Sequence, residues 1–213
     1  MFHATFLALN RKKLKFAYAA TAITFLALVL VILGIALFND AVPSIGLIVA
    51  ILVVAGIVFP IFTIFLGWLG WHYKKRKRTK AFLTPPFDEL DRIGFRRSLV
   101  NENSKWVFTD EAWQGKFNGF TILCNVVNER YHIIEMEVFC QRRQLEKAEF
   151  AALSEKFKQY DIEFGFGSLV KQYDTKRLTI YTAAELKNDL EQFTRLLKQE
   201  GFEPADITES KQV

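Results

Sequence analysis

Two uninterrupted apolar runs constrain this chain more than any other feature. Residues 16–38 hold 23 positions without a charge, and residues 44–71 hold 28 more. At about 1.5 Å per helical residue, each run exceeds the roughly 30 Å hydrocarbon thickness of a bilayer. The second run has length to spare, and Gly56 with Pro60 marks where it would bend. The fold class expected is a membrane protein with an N-terminal two-helix transmembrane hairpin and a C-terminal cytoplasmic α+β domain. A cleaved signal peptide fits less well, because the first run is too long for such a segment and a second span follows at once.

Charge sets the expected orientation. Arg11, Lys12, Lys13 and Lys15 precede the first run; Lys74, Lys75, Arg76, Lys77, Arg78 and Lys80 follow the second. The connection, residues 39–43, carries Asp40 and no basic residue. Basic residues are retained on the cytoplasmic side, so both termini are expected there, in a plasma or inner membrane. Tyr18, Trp68, Trp71 and Tyr73 suit an interfacial aromatic belt. The ten basic residues are the candidate contacts for anionic lipid, at about 1 kcal/mol each near a charged surface.

The net charge of +5 invites a nucleic-acid reading until the chain is divided. Residues 1–80 carry ten Lys/Arg and one acid, a formal +9; the remainder carries 18 against 22, a formal −4. The basicity belongs to the flanks of the spans, and a nucleic-acid footprint over the whole domain is unsupported. The organisation expected is a segment 1–15, spans 16–38 and 44–71 joined by loop 39–43, and a basic linker 72–86. A domain 87–203 and a loose tail 204–213 follow.

Within the domain, Pro85-Pro86 sets off a short helix from Phe87 to Ile93. Residues 95–105 are polar and unassigned, and Trp106 to Phe108 is expected to open a strand. Asn118-Gly119 between apolar stretches marks a two-residue hairpin turn, since both central positions need positive φ. Ile134, Met136, Val138 and Cys140 alternate with Glu135 and Glu137, as in a sheet covered on one face. Phe150, Leu153, Phe157 and Tyr160 recur at helical spacing. Ile162, Phe164 and Phe166 alternate again, and Arg177 to Thr182 reads as a last strand. Leu186, Leu190, Phe193 and Leu197 mark a final helix, with Gly201 at its left-handed C-terminal position and Phe202 folding back. The expected domain is an antiparallel sheet of about five strands with helices on one face, in the order α-β-β-β-α-β-β-α. That order resembles the one in type III secretion chaperone-like domains, which implies a protein-binding module; no residue motif accompanies it.

Candidate chemistry is sparse. Cys124 and Cys140 lie on inward strand positions without metal-ligand spacing, and read as buried thiols in a reducing compartment. His132 shares a strand with Cys140, too far along it for a dyad. If Val127 pairs with Tyr131, Cys124 stands opposite Ile134 and diagonal to His132, with no orienting acid. Phe164-Gly165-Phe166-Gly167-Ser168 lacks phosphate-loop spacing and reads as a bulge or close approach in a strand. Glu135 and Glu137 read as a solvated face. The spans hold no Asp, Glu, Lys, Arg or His, which disfavours coupled transport. Gly46 and Ala50 have small-xxx-small spacing, a signal for close helix packing against the first span or against another copy, the latter giving a homo-oligomer through the spans. No catalytic residue, metal site or cofactor is expected. The expected partners are the lipid bilayer and a cytoplasmic protein, without nucleic acid. The function expected is a membrane-anchored interaction or regulatory module. The alternatives are a membrane-tethered enzyme and an oligomerising effector with a ligand-sensing domain.

Overall fold

The computed structural model describes residues 5–39, 43–127, 130–141, 146–165 and 167–205. Two compact units emerge, Met1–Lys74 with Val100–Asp110, and Lys75–Leu99 with Glu111–Val213. The chain therefore passes between them three times, where composition alone suggests a single linker at 72–86. The expected loop at 39–43 and tail at 204–213 fall largely outside the described residues.

In the first unit, helix α1 spans Phe6–Phe38, capped by the Thr5 hydroxyl, which accepts the Ala8 N–H at 3.4 Å. It begins well before the apolar run and carries the first basic cluster on its opening turns. Helices α2 (Ile45–Val53) and α3 (Phe59–Phe82) join through a π-helical turn at Val54–Val58, giving a continuous helix Ile45–Phe82. Both helices are long and apolar enough to cross a membrane. Their apolar side chains lie open: Leu30, Ile35, Ile45 and Ile61 are each more than half exposed.

The π turn sits where Gly56 and Pro60 predict a bend. Pro60 has no N–H for the carbonyl of Gly56, four residues back. The Tyr18 hydroxyl on α1 donates to that oxygen instead, at 2.9 Å. Phe25 stacks on Phe59 beside it, centroids 4.4 Å apart, and a Cβ on Gly56 would meet Leu26 at 3.8 Å. Gly46 faces open space, so the two helices do not approach closely there.

In the second unit, six strands form one sheet in the order β1-β2-β3-β4-β6-β5. They are β1 (Arg96–Val100), β2 (Asp110–Phe117), β3 (Phe120–Val126), β4 (Ile133–Phe139), β5 (Ile162–Phe164) and β6 (Ser168–Asp174). The pairs β2–β3, β3–β4, β4–β6 and β5–β6 are antiparallel. Helices α4 (Lys147–Lys158) and α5 (Ala183–Gln199) bury Leu153, Phe157, Leu186, Leu190, Phe193 and Leu197 in one core with Ile122, Cys124, Ile134, Met136 and Leu169. The end of α3 enters the same core through Ala81 and Phe82.

Several sequence expectations need correction. The order is a 3-10 turn at Phe87–Glu89, four strands, a helix, two strands and a helix. β1 occupies the polar stretch that composition leaves unassigned, while Trp106 to Phe108 forms no strand. The residues from Arg177 to Thr182 are irregular. The last strand is β6, and Gly165 and Gly167 belong to the β5–β6 turn, where the Gly165 N–H donates to the Ser168 carbonyl at 2.8 Å. Phe166 lies outside the described residues. Cys124 pairs with Met136, and Val126 with Ile134, two residues from the register first derived; the inward face is unchanged because side chains repeat every two residues.

Other local signals hold. Asn118 and Gly119 have φ of 49° and 90° in the β2–β3 turn. Gly201 has φ 76°, and the Phe202 N–H reaches back to the Leu197 carbonyl at 3.0 Å.

Phe193 is buried among α5, the sheet and Lys171. Truncation by Phe193→Ala should cost about 3–5 kcal/mol in a urea unfolding series. A change below about 1 kcal/mol would place this ring outside the core.

Candidate functional site

The most heavily built polar arrangement lies in the first unit, where α1 meets the segment Val100–Asp110. Phe6, Asn10, Lys13 and Leu14 fall on one helical stripe, and all four are buried. The Thr109 N–H donates to Asn10 Oδ1 at 2.7 Å, and Asn10 Nδ2 donates to the carbonyls of Thr109 at 3.4 Å and Phe6 at 3.2 Å. One amide thus satisfies both main-chain groups of a buried residue, as a neighbouring strand would. Lys13 Nζ donates to the carbonyl of Val107 at 2.7 Å and to that of Asn101. A buried ammonium is costly unless hydrogen-bonded, and here it gathers two carbonyls six residues apart into one turn. Below them Phe108 packs edge-on to Phe6 at 5.0 Å, Phe6 tilts against Trp71 at 5.3 Å, and Phe108 lies over Gly67, where a Cβ would meet it at 2.9 Å. Together these contacts clasp the segment to the basic end of the hairpin.

The ten candidate lipid contacts divide accordingly. Lys13 is withdrawn into the clasp. Arg11, Lys12, Lys15 and Lys74 are exposed in the first unit, and Arg76, Lys77 and Lys80 in the second. Lys75 and Arg78 are half-buried; Lys75 Nζ lies 3.8 Å from Glu111 Oε2, and Arg78 donates to the Glu111 carbonyl at 3.1 Å.

In the sheet domain, titratable groups gather between β6 and α5. Lys171 Nζ donates to Asp189 Oδ1 at 2.8 Å, and the Tyr173 hydroxyl donates to Oδ2 of the same carboxylate. Burial, then the Asp189 charge, push the Tyr173 phenol well above its usual range. Burial alone raises the Cys124 thiol well above normal and lifts Cys140 to about 12. Both thiols are buried, the setting of packing residues. The observed register carries Cys124 further from His132, whose carbonyl accepts the Thr175 N–H at 2.7 Å. Among the described residues, no three His, Cys, Asp or Glu side chains are grouped to hold a metal ion.

The opposite sheet face carries Glu135, Glu137 and Gln172. Ser168 Oγ donates to Glu137 at 2.7 Å and Gln172 Nε2 to Glu135 at 3.2 Å. Burial, then Glu137 and Glu163, raise the Glu135 carboxyl above its usual range, against the Gln172 hydrogen bond. A cleft of about 460 Å³ lies beside β5 and the segment after β6, walled by Lys158, Asp161, Glu163, Arg177 and the half-buried Leu178 and Ile180.

Comparison with family models, curated proteins and solved structures finds no match to this chain. The likeness in element order to type III secretion chaperone-like domains therefore gains no support, and the observed order departs from it.

Sequence reading missed the clasp. Its local signal is Asn10 one turn from Phe6, with Lys13 and Leu14 on the same stripe, but nothing nearby names its partner. Asn10→Ala would strand the Thr109 main-chain groups, a loss of about 1–3 kcal/mol. Hydrogen exchange at the Thr109 amide should quicken by roughly tenfold or more; unchanged protection would show that Asn10 does not hold the segment.

Glu135 makes the stability of the domain depend on pH. Its folded pKa is raised, so its favourable contribution is present below the ordinary carboxylate pKa and is lost as pH rises through the folded value. Glu135→Gln should therefore raise the melting temperature at pH 7, and the gain should vanish near pH 4. A loss of stability at pH 7 would mean that the carboxylate is favourably placed.

Proposed function

We propose that this is an integral membrane protein whose hairpin crosses the bilayer twice, with both termini cytoplasmic, and whose α+β domain is an interaction or regulatory module. The observation that carries the membrane part is the open apolar surface along both helices. Hydrocarbon is the solvent in which such a surface costs nothing, and in which a helix satisfies its own backbone. The basic residues cluster at one end of each helix, which supports the orientation.

The domain reading rests on the sheet. One face is committed to the helices, while the other presents Glu135, Glu137 and Gln172 at half-buried positions on adjacent strands, β4 and β6. A polar face on a rigid sheet suits recognition of a cytoplasmic protein, and three chain crossings suit a module that reports to its anchor. The cleft beside β5 favours a second reading, a ligand-sensing effector.

Two measurements test this. A cysteine at Ser44 should react with an impermeant thiol reagent in intact cells, while one at position 210 should not; the reverse pattern would overturn the orientation. A photoreactive residue at Glu137 should capture a discrete protein in native membranes that one at Lys187 does not. Equal capture at both sites would remove the sheet face as a recognition surface.

A further inference from the structure

The clasped segment ends in side chains that the clasp does not use. Trp106 is 78% exposed and Val107 52%, although Phe108 and Thr109 beside them are drawn in. An exposed indole at the tip of a polar loop is an unusual expense in water. Its neighbour explains it. The Trp106 ring packs edge-on to Phe16, centroids 4.9 Å apart, and Phe16 is the first residue of the uncharged run on α1. Phe108, two residues on, lies over Gly67, inside the second run. The segment therefore stands at the level where each helix changes from basic to apolar, and its exposed apolar tip is continuous with the open surface of the hairpin. Its backbone is held at Asn101 and Val107 by Lys13 and at Thr109 by Asn10. Lys105, next in sequence, is exposed, as are Arg11, Lys12 and Lys15 on α1.

We propose that this segment is a membrane-interface insertion, in which Trp106 and Val107 enter the leaflet at the basic end of the hairpin. The inference rests on the hairpin spanning a bilayer, and it adds a third, non-helical point of contact. Indole suits that depth, since its apolar rings lie below the headgroups while its N–H stays among them. Lys105 would extend toward lipid phosphates, as Lys side chains do at interfaces.

The test uses the full chain in vesicles of phosphatidylcholine and phosphatidylglycerol, with an environment-sensitive fluorophore on V107C, which keeps Trp106 in place. Cys124 and Cys140 are buried, so the introduced thiol reacts selectively. L30C serves as a mid-hairpin reference and K187C as a water-exposed one. The label at 107 should emit to the blue of that at 187 and be quenched most by lipids carrying a nitroxide near the headgroup; the label at 30 should be quenched most by a deep nitroxide. Adding W106S should weaken the shallow quenching at 107. Water-like emission at 107 with deep quenching at 30 would overturn the insertion and leave the spanning hairpin standing. A label at 107 that is dry but unquenched by either lipid would mean that protein covers the tip, and would overturn it too. Absence of lipid quenching at 30 would remove both readings.

Discussion

A lysine ammonium held by main-chain carbonyls organises the first unit. Lys13 lies on an apolar stripe of α1 and is buried with it, so its charge must find acceptors within reach of one side chain. It finds them in Asn101 and Val107, and in doing so closes the segment that leaves β1 and returns to β2. Asn10, one turn earlier, accepts and donates to Thr109. Phe108 can then lie against Phe6 and over Gly67, because the backbone on either side of it is already satisfied. A glutamine or leucine at position 13 would lack the three donors or the charge that lets one atom serve two carbonyls.

The sheet domain uses polar groups differently. Lys171, Tyr173 and Asp189 form a chain in which the carboxylate accepts from an ammonium and a phenol, tying α5 to β6 at the rim of the core. Lys171 also stands 5.6 Å from the Tyr173 ring and 6.0 Å from that of Phe193, so its stem packs while its head is paired. Cys124 lies under this rim as an apolar filler. Removing Asp189 alone would leave a buried phenol and a half-buried ammonium without it, the asymmetry that makes half a polar network worse than none.

What the sequence made legible follows from the range of each signal. The Asn118-Gly119 turn, the Gly201 cap and the two apolar runs are local, each decided within a few residues, and all stand in the structure. The inward face of β4 was also legible, because alternation survives a two-residue error of register. β6 was hidden because Arg177 to Thr182 imitated a strand. The clasp was out of reach for a different reason: Asn10 and Thr109 are 99 positions apart, and periodicity records which face a residue occupies but not what covers it. Lys13 was assigned to lipid with its neighbours for the same reason.

The π turn shows how one missing donor sets the pairing of the two helices. Pro60 has no N–H for the Gly56 carbonyl, so that oxygen needs another partner. Tyr18 meets it, and a phenol reaches such a target only from the facing helix at the matching height. Sequence alone assigns Tyr18 to an interfacial belt; in the structure its hydroxyl bonds the facing helix. The bond therefore fixes the stagger of α1 against the continuous helix opposite, and the stacked Phe25 and Phe59 and the Gly56–Leu26 contact fall into place beside it. Shifting α1 by one turn would move Tyr18 by about 5.4 Å and expose the Gly56 carbonyl again, so the backbone defect, more than the largely featureless aliphatic surface around it, gives the hairpin one register.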